Sequence, residues 1–276
     1  LALHQNNGLK PRLLTIWYLS GMISSLWLVT FGELFFPPGW SFLQAFLFCG
    51  LYFPLLTTVV GYRWSIKRQP ILQWKPSGDL PSHNRSVLLG FLVFGGWSGA
   101  YYSVGLLVSQ RPMGSLMTSL DLAIPFWPKA VFVYITVQLF TVWAVVLAAG
   151  TIPTKRMLQA FGTVVVGCCL CFLLFPVEMP PSTLGNKELA DWTLAAVRAN
   201  DVNHNCFPSS HCGMALLAAL LLFHRHRVLG YLGLFQALVI GMSTLFTKEH
   251  YVADVAVGFA LAIVAYKVWI STKEER

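Results

Sequence analysis

An all-α membrane protein of about eight transmembrane helices is the fold class that three features of this sequence predict. Hydrophobic residues fill 56% of the 276 positions and charged residues only 11%, where soluble domains carry about a quarter charged. Mean hydropathy is +0.63. The apolar residues also gather into eight runs, at 13–36, 41–62, 87–109, 130–150, 157–176, 210–224, 228–247 and 251–270, most of them near the roughly 20 residues that cross a bilayer as a helix.

Taken in order, the first run is too long for a signal peptide and is followed by Pro37 and Pro38 rather than a small-residue cleavage site, so it reads as a span. With the second run and the basic connection after it, residues 1–86 form an addition of two helices and a loop. The remaining six runs, residues 87–276, form the core. The sixth run is the shortest. No internal repeat, charge block or low-complexity tract marks a separate soluble domain.

The net charge of +8 does not point to nucleic acid, because in a multispanning chain the distribution of Lys and Arg carries the information. With eight spans, Lys10, Arg12, Arg63, Lys67, Arg68, Lys75, Arg85, Lys155, Arg156, Arg225, Arg227, Lys267, Lys273 and Arg276 fall on one side, 14 of the 19 basic residues. The other side receives Arg111, Lys129, Lys187, Arg198 and Lys248, with 8 of the 11 acids. The positive-inside rule therefore predicts cytoplasmic termini, and puts 110–129, 177–210 and 247–250 in the periplasm or an organelle lumen.

The six cysteines do not make a disulfide framework. Cys49, Cys168, Cys169 and Cys171 lie within apolar runs as small buried hydrophobes, and "CCLC" lacks polar partners for a metal. Cys206 and Cys212 could pair in an oxidising compartment, but free thiols are the favoured expectation.

Polarity concentrates in three segments of the non-cytoplasmic side. Arg111 to Lys129 is apolar, carries three prolines and reads as a short interfacial helix or re-entrant piece, with Phe126 and Trp127 at headgroup level. Asp121 within it needs a partner, as a cap or in a salt bridge. In the second segment, 186–198 reads as an amphipathic helix. Leu189, Trp192, Leu194 and Val197 would make apolar contacts, while Lys187, Glu188 and Asp191 face water. His204 reads as a surface loop histidine, and Pro208, Ser209 and Ser210 mark a helix start.

His211 is not explained by capping. In the third segment His250 and Asp254 are four residues apart, so the carboxylate can hold one imidazole tautomer. The charge-derived topology puts His211 on the same membrane face as this pair. An oriented nucleophile, a separate acid and a helix N-terminus with serine hydroxyls together suit a phosphate. His224 and His226, by contrast, lie among arginines at the opposite face.

"PSSH" (Pro208–His211) followed by "HYVAD" (His250–Asp254) resembles the second and third signature motifs, PSGH and SR-x5-H-x3-D, of the type 2 phosphatidic acid phosphatase superfamily. "SLDLAIPFWP", "NCFPSSH" and "EHYVAD" look most like its branch of inositol phosphorylceramide synthases, sphingomyelin synthases and related bacterial lipid enzymes. The resemblance spans about residues 87–270. It implies that His250 attacks phosphorus to form a phosphohistidine, that Asp254 orients it and that Ser209 binds a phosphoryl oxygen. His211 would protonate the leaving oxygen and then activate the acceptor.

The resemblance further implies a lipid phosphate or phospholipid donor, a lipid alcohol or water as acceptor, and chemistry without a metal or other cofactor. Ser210, Lys248, Arg111 and Asp121 join Ser209 as candidate substrate-binding residues.

The sequence departs from the family at its cations. Arg111–Pro112 is the only RP, and Val104 stands where the first motif, K-x6-RP, has its lysine; Ser243 is followed by Thr244 instead of arginine. Lys248 is the expected replacement, with Arg111, Lys129 and Arg198 as the other choices. Two non-catalytic readings compete with the enzyme: a transporter using His211, His250 and Asp254 as a proton or metal relay, and an inactive lipid-binding relative.

Overall fold

The computed structural model describes residues 83–185, 188–202 and 204–271. The spans expected at 13–36 and 41–62, and Cys49, lie outside the described residues. The described chain is helical. Five helices or helical runs are long and apolar enough to cross a membrane: Leu88–Val108, Pro128–Ala148, Thr154–Leu174, Arg227–Phe246 and Val252–Trp269.

In chain order, helix α1 is His83–Val108 and α2 is Ser119–Ala123. A 3-10 turn, Pro128–Ala130, leads into α3, Val131–Tyr134, and α4, Thr136–Ala148, and these three make one span. Then follow α5, Thr154–Leu174; α6, Leu189–Asn200; α7, Ser210–Leu222; α8, Arg227–Phe246; and α9, Val252–Trp269. Each core span predicted from hydropathy is found within four residues at either end.

The sixth run is the exception in length. Helix α7 has 13 residues, about 20 Å at 1.5 Å per residue, less than the hydrocarbon core. It is apolar all round, and all but one of its residues, from Ser210 to Leu222, are buried. It is the central helix, packed by α4, α5, α8 and α9. The surrounding helices are two-faced. In α1, Leu89, Val93, Trp97, Tyr101, Val104 and Val108 are buried at steps of three or four, while Leu88, Phe91, Leu92, Leu106 and Leu107 are exposed for lipid.

Helices in lipid gain little from hiding apolar surface from one another, so they rely on close packing through small residues. Helix α9 turns Gly258, Ala262 and Ala265 inward. A Cβ on Gly258 would stand 2.3 Å from the Ser209 carbonyl oxygen, and one on Gly213 would stand 3.1 Å from the Gly258 carbonyl oxygen. The backbones of α7 and α9 thus meet where the PSSH segment begins its helix. Gln236 adds a hydrogen bond from α8 to Thr136 at 2.7 Å.

The amphipathic helix starts three residues later than its expected 186 and ends two later than 198. Glu188 is its N-cap, and Asp191 at the third helical position reaches back to close a capping box. That fold-back buries Asp191, which was expected in water, and leaves Trp192, expected to pack inward, 47% exposed. Leu194 packs under the helix with Val131, Phe132 and Tyr134. The segment 110–129 contains the expected short helix as α2.

Candidate active site

Helix hairpins bring the site together at one end of the bundle: the start of α7, the turn from α8 to α9 and the loop before α7. Helix α8 stops in a Schellman motif, in which the Lys248 N–H bonds the Leu245 carbonyl and the Glu249 N–H bonds the Thr244 carbonyl. The left-handed position such a motif needs is filled by Lys248, with φ 57°, rather than by glycine. Its ammonium donates to the carbonyls of Asp121 and Ile124 at 2.5 and 2.6 Å, which ties the turn to the end of α2. The reversed chain then delivers Glu249 and His250.

Asp254, in the first turn of α9, accepts the Tyr251 N–H at 2.8 Å and the Cys206 thiol at 2.9 Å on Oδ2. The same oxygen lies 3.3 Å from His250 Nδ1, and that nitrogen is 3.0 Å from the Cys206 carbonyl oxygen. A carbonyl only accepts, so Nδ1 carries the ring proton and Nε2 keeps its lone pair. His250 and Asp254 are both buried.

His211 occupies the first turn of α7, with its ring centroid 5.8 Å from that of His250. Rings of Trp97, Tyr101 and Tyr134 stand edge-on around it at 5.3, 6.0 and 5.1 Å. Ser209 is the N-cap, its hydroxyl oxygen accepting the Cys212 N–H at 3.3 Å, and its own N–H bonds the Asp254 carbonyl at 3.0 Å. Ser210 accepts the Trp97 indole N–H at 3.2 Å.

Two cavities flank the histidines. One of about 300 Å³ is lined by His250, Lys248, Glu249, Arg198, Asp201 and Cys206, among others. The other, of about 360 Å³, reaches His211 between Phe94, Trp97, Tyr102, Tyr134 and Ile135. Tyr101 and Asp201 line both and are joined by a 2.7 Å hydrogen bond.

Arg198 donates to Glu249 at 2.8 Å and to the carbonyls of Ser182 and Thr247 at 2.8 and 3.0 Å. Burial pushes the Glu249 carboxyl up, and Arg198 only partly offsets it. Burial, followed by the neighbouring Asp254, raises the Cys206 thiol well above its ordinary value, so it is protonated.

The structure therefore brings His211, His250, Asp254, Ser209, Ser210 and Lys248 together. Asp121 acts beside them: its carboxylate accepts the Val252 N–H at 2.8 Å and the Thr118 N–H at 2.8 Å, anchoring the start of α9. Burial alone would raise its carboxyl, but the Thr118 hydroxyl and the N–H donors outweigh that and hold it low. Arg111 is elsewhere, bonded to the Leu173 carbonyl at the end of α5. Lys129 pairs with Glu188 at 3.9 Å. Cys206 and Cys212 are free thiols, as expected, and His204 pairs with Glu178 at 3.9 Å.

Sequence reasoning missed Glu249, Asp201, Trp97, Tyr101 and Tyr134. Trp97 and Tyr101 share the buried stripe of α1, and Glu249 adjoins His250; those were the available signals.

The PAP2 superfamily model matches residues 124–268, a stretch that holds α7, α8, all but the last residue of α9, and His211, His250 and Asp254. The chain belongs to the PAP2 superfamily. No curated protein and no solved structure gives a match.

Proposed function

We propose that this PAP2-superfamily chain is a lipid phosphotransferase or phosphatase that works at the non-cytoplasmic face through a phosphohistidine. His250 Nε2 attacks phosphorus, the bond to the leaving oxygen breaks, and His211 gives that oxygen a proton. An acceptor hydroxyl then loses its proton to His211 and attacks the phosphohistidine, releasing His250. Asp254 holds the Nδ1 proton and stabilises the positive ring. The observation that carries the reading is the 5.8 Å approach of the two rings with only one of them bonded to a carboxylate.

Phosphoryl transfer depends on positioning and on charge aimed at the phosphoryl oxygens. Lys248 and Arg198 line the His250 cavity and are our candidates for the absent motif cations; each is held in place by backbone carbonyls. The Ser209 and Ser210 oxygens already accept N–H groups, which leaves their hydroxyl hydrogens for a phosphoryl oxygen. The aromatic cavity beside His211 supports a lipid alcohol as acceptor in addition to water. The relay reading gains no support from the site, whose ionisable groups gather at one end of the bundle.

Mass spectrometry of products from purified protein, supplied with lipid phosphates, phospholipids and a lipid alcohol, tests the function beside His250→Ala. A new headgroup-bearing lipid is the expected product. Free phosphate alone would rule out transfer, and no turnover with any lipid would favour the inactive relative.

A further inference from the structure

Cys206 has no part in the chemistry proposed above, yet its thiol is buried against both His250 and Asp254. The sulfur lies 2.9 Å from Asp254 Oδ2 and 3.7 Å from His250 Nδ1, and those two atoms are 3.3 Å apart. One donor atom from each residue falls within 4.8 Å of the others. A tetrahedral zinc with bonds of about 2.3 Å to sulfur and 2.0–2.1 Å to nitrogen and oxygen sets its ligands about 3.3–3.6 Å apart. Two edges of the triangle already suit that geometry. The third needs to open by about 0.6 Å, as follows when an S–H···O hydrogen bond gives way to two metal bonds.

A second observation points the same way. Asp254 is wholly buried, and its other oxygen, Oδ1, has no hydrogen-bond partner, although a buried carboxylate oxygen ordinarily has one. The residues also combine a soft sulfur, an imidazole and a carboxylate, a set that favours zinc or cadmium over magnesium or calcium. His250 and Cys206 both line the 300 Å³ cavity, which supplies a route in and a fourth position for water.

We propose that Cys206, His250 and Asp254 form a binding site for a soft divalent cation such as Zn2+, and that its occupation switches the enzyme off. Binding releases the Cys206 thiol proton to solvent and forms a thiolate–metal bond. The metal takes His250 Nδ1, so the ring proton moves to Nε2 and the attacking lone pair is lost. Inhibition rests on the phosphohistidine reading above; binding does not.

The test uses the full chain in detergent or nanodiscs, stripped with a chelator and titrated with Cd2+ while the ultraviolet thiolate–cadmium band is followed. One equivalent is expected to produce the band in the parent protein. Cys206→Ala and Cys206→Ser should lose it, the serine variant retaining a hydroxyl that can bond Asp254, and His250→Ala should weaken the binding at least tenfold. Absence of the band, or its persistence in both Cys206 variants, overturns the site. Zn2+ should abolish turnover of the parent protein, and a chelator should restore it. Turnover that continues with the site filled would leave the site standing but overturn both the switch and His250 as nucleophile.

Discussion

Asp254 Oδ2 receives the Tyr251 N–H, the Cys206 thiol and the His250 ring, so one carboxylate caps α9 and sets the tautomer of its neighbour. Asp254→Asn keeps an oxygen for the cap but loses the charge that stabilises a positive imidazole. Turnover should fall about 10²- to 10⁴-fold, with a thermal midpoint close to that of the parent protein; steady-state kinetics beside a melting curve measure both. Unchanged turnover would remove Asp254 from the mechanism. The sequence carried this pair openly, because a His and an Asp four apart at a helix start share a face. It offered Arg198 only as one of three further cations, because the ties that single it out, to Ser182, Thr247 and Glu249, join segments about 16 to 51 residues apart, a separation no local pattern encodes. Lys248 was chosen for its nearness to His250, and the structure adds the left-handed backbone and two carbonyl contacts that hold it.

Helix α9 is placed by two contacts that can be perturbed separately. Gly258 lets its backbone reach Ser209, so Gly258→Ala drives a Cβ against a carbonyl that has nowhere to go. The variant should lose about 1–3 kcal/mol of stability. Activity should fall further than the midpoint implies, because the shift moves the cap of α7 and His211 with it. Gly99→Ala, where nothing lies within 4 Å of the added carbon, is the control and should melt and turn over like the parent protein.

The other contact is Asp121 on the Val252 N–H. Its carboxyl is held below the ordinary aspartate range. The stability it adds is therefore present above about pH 4 and is lost as pH falls through the lower folded value. The gap in thermal midpoint between the parent protein and Asp121→Asn should be widest near neutrality and close below pH 4; a constant gap would contradict an ionised anchor. The late start of α6 belongs to the same scale. The apolar stripe located the helix, while the capping box of Glu188 and Asp191 decided its first residue and which side chains faced in.

At the scale of the molecule, the six core spans were legible because hydropathy reports burial in lipid, which depends on composition and length. The cavities were not, since they arise where α1, α6 and the loop before α7 meet. The proposed orientation has a direct consequence. Thr183→Cys, exposed near the site, should react with a membrane-impermeant maleimide on intact cells or sealed vesicles of the right sense. Arg227→Cys, exposed at the far end, should react only after permeabilisation, and the reverse pattern would invert the topology. The central claim is that His250 carries the phosphoryl group. The most direct measurement is rapid quenching of purified protein with a lipid substrate labelled at phosphorus, followed by mass spectrometric location of the label. An acid-labile phosphohistidine at His250, absent from His250→Ala, is the predicted result; full turnover by His250→Ala, or label on another residue, would contradict it.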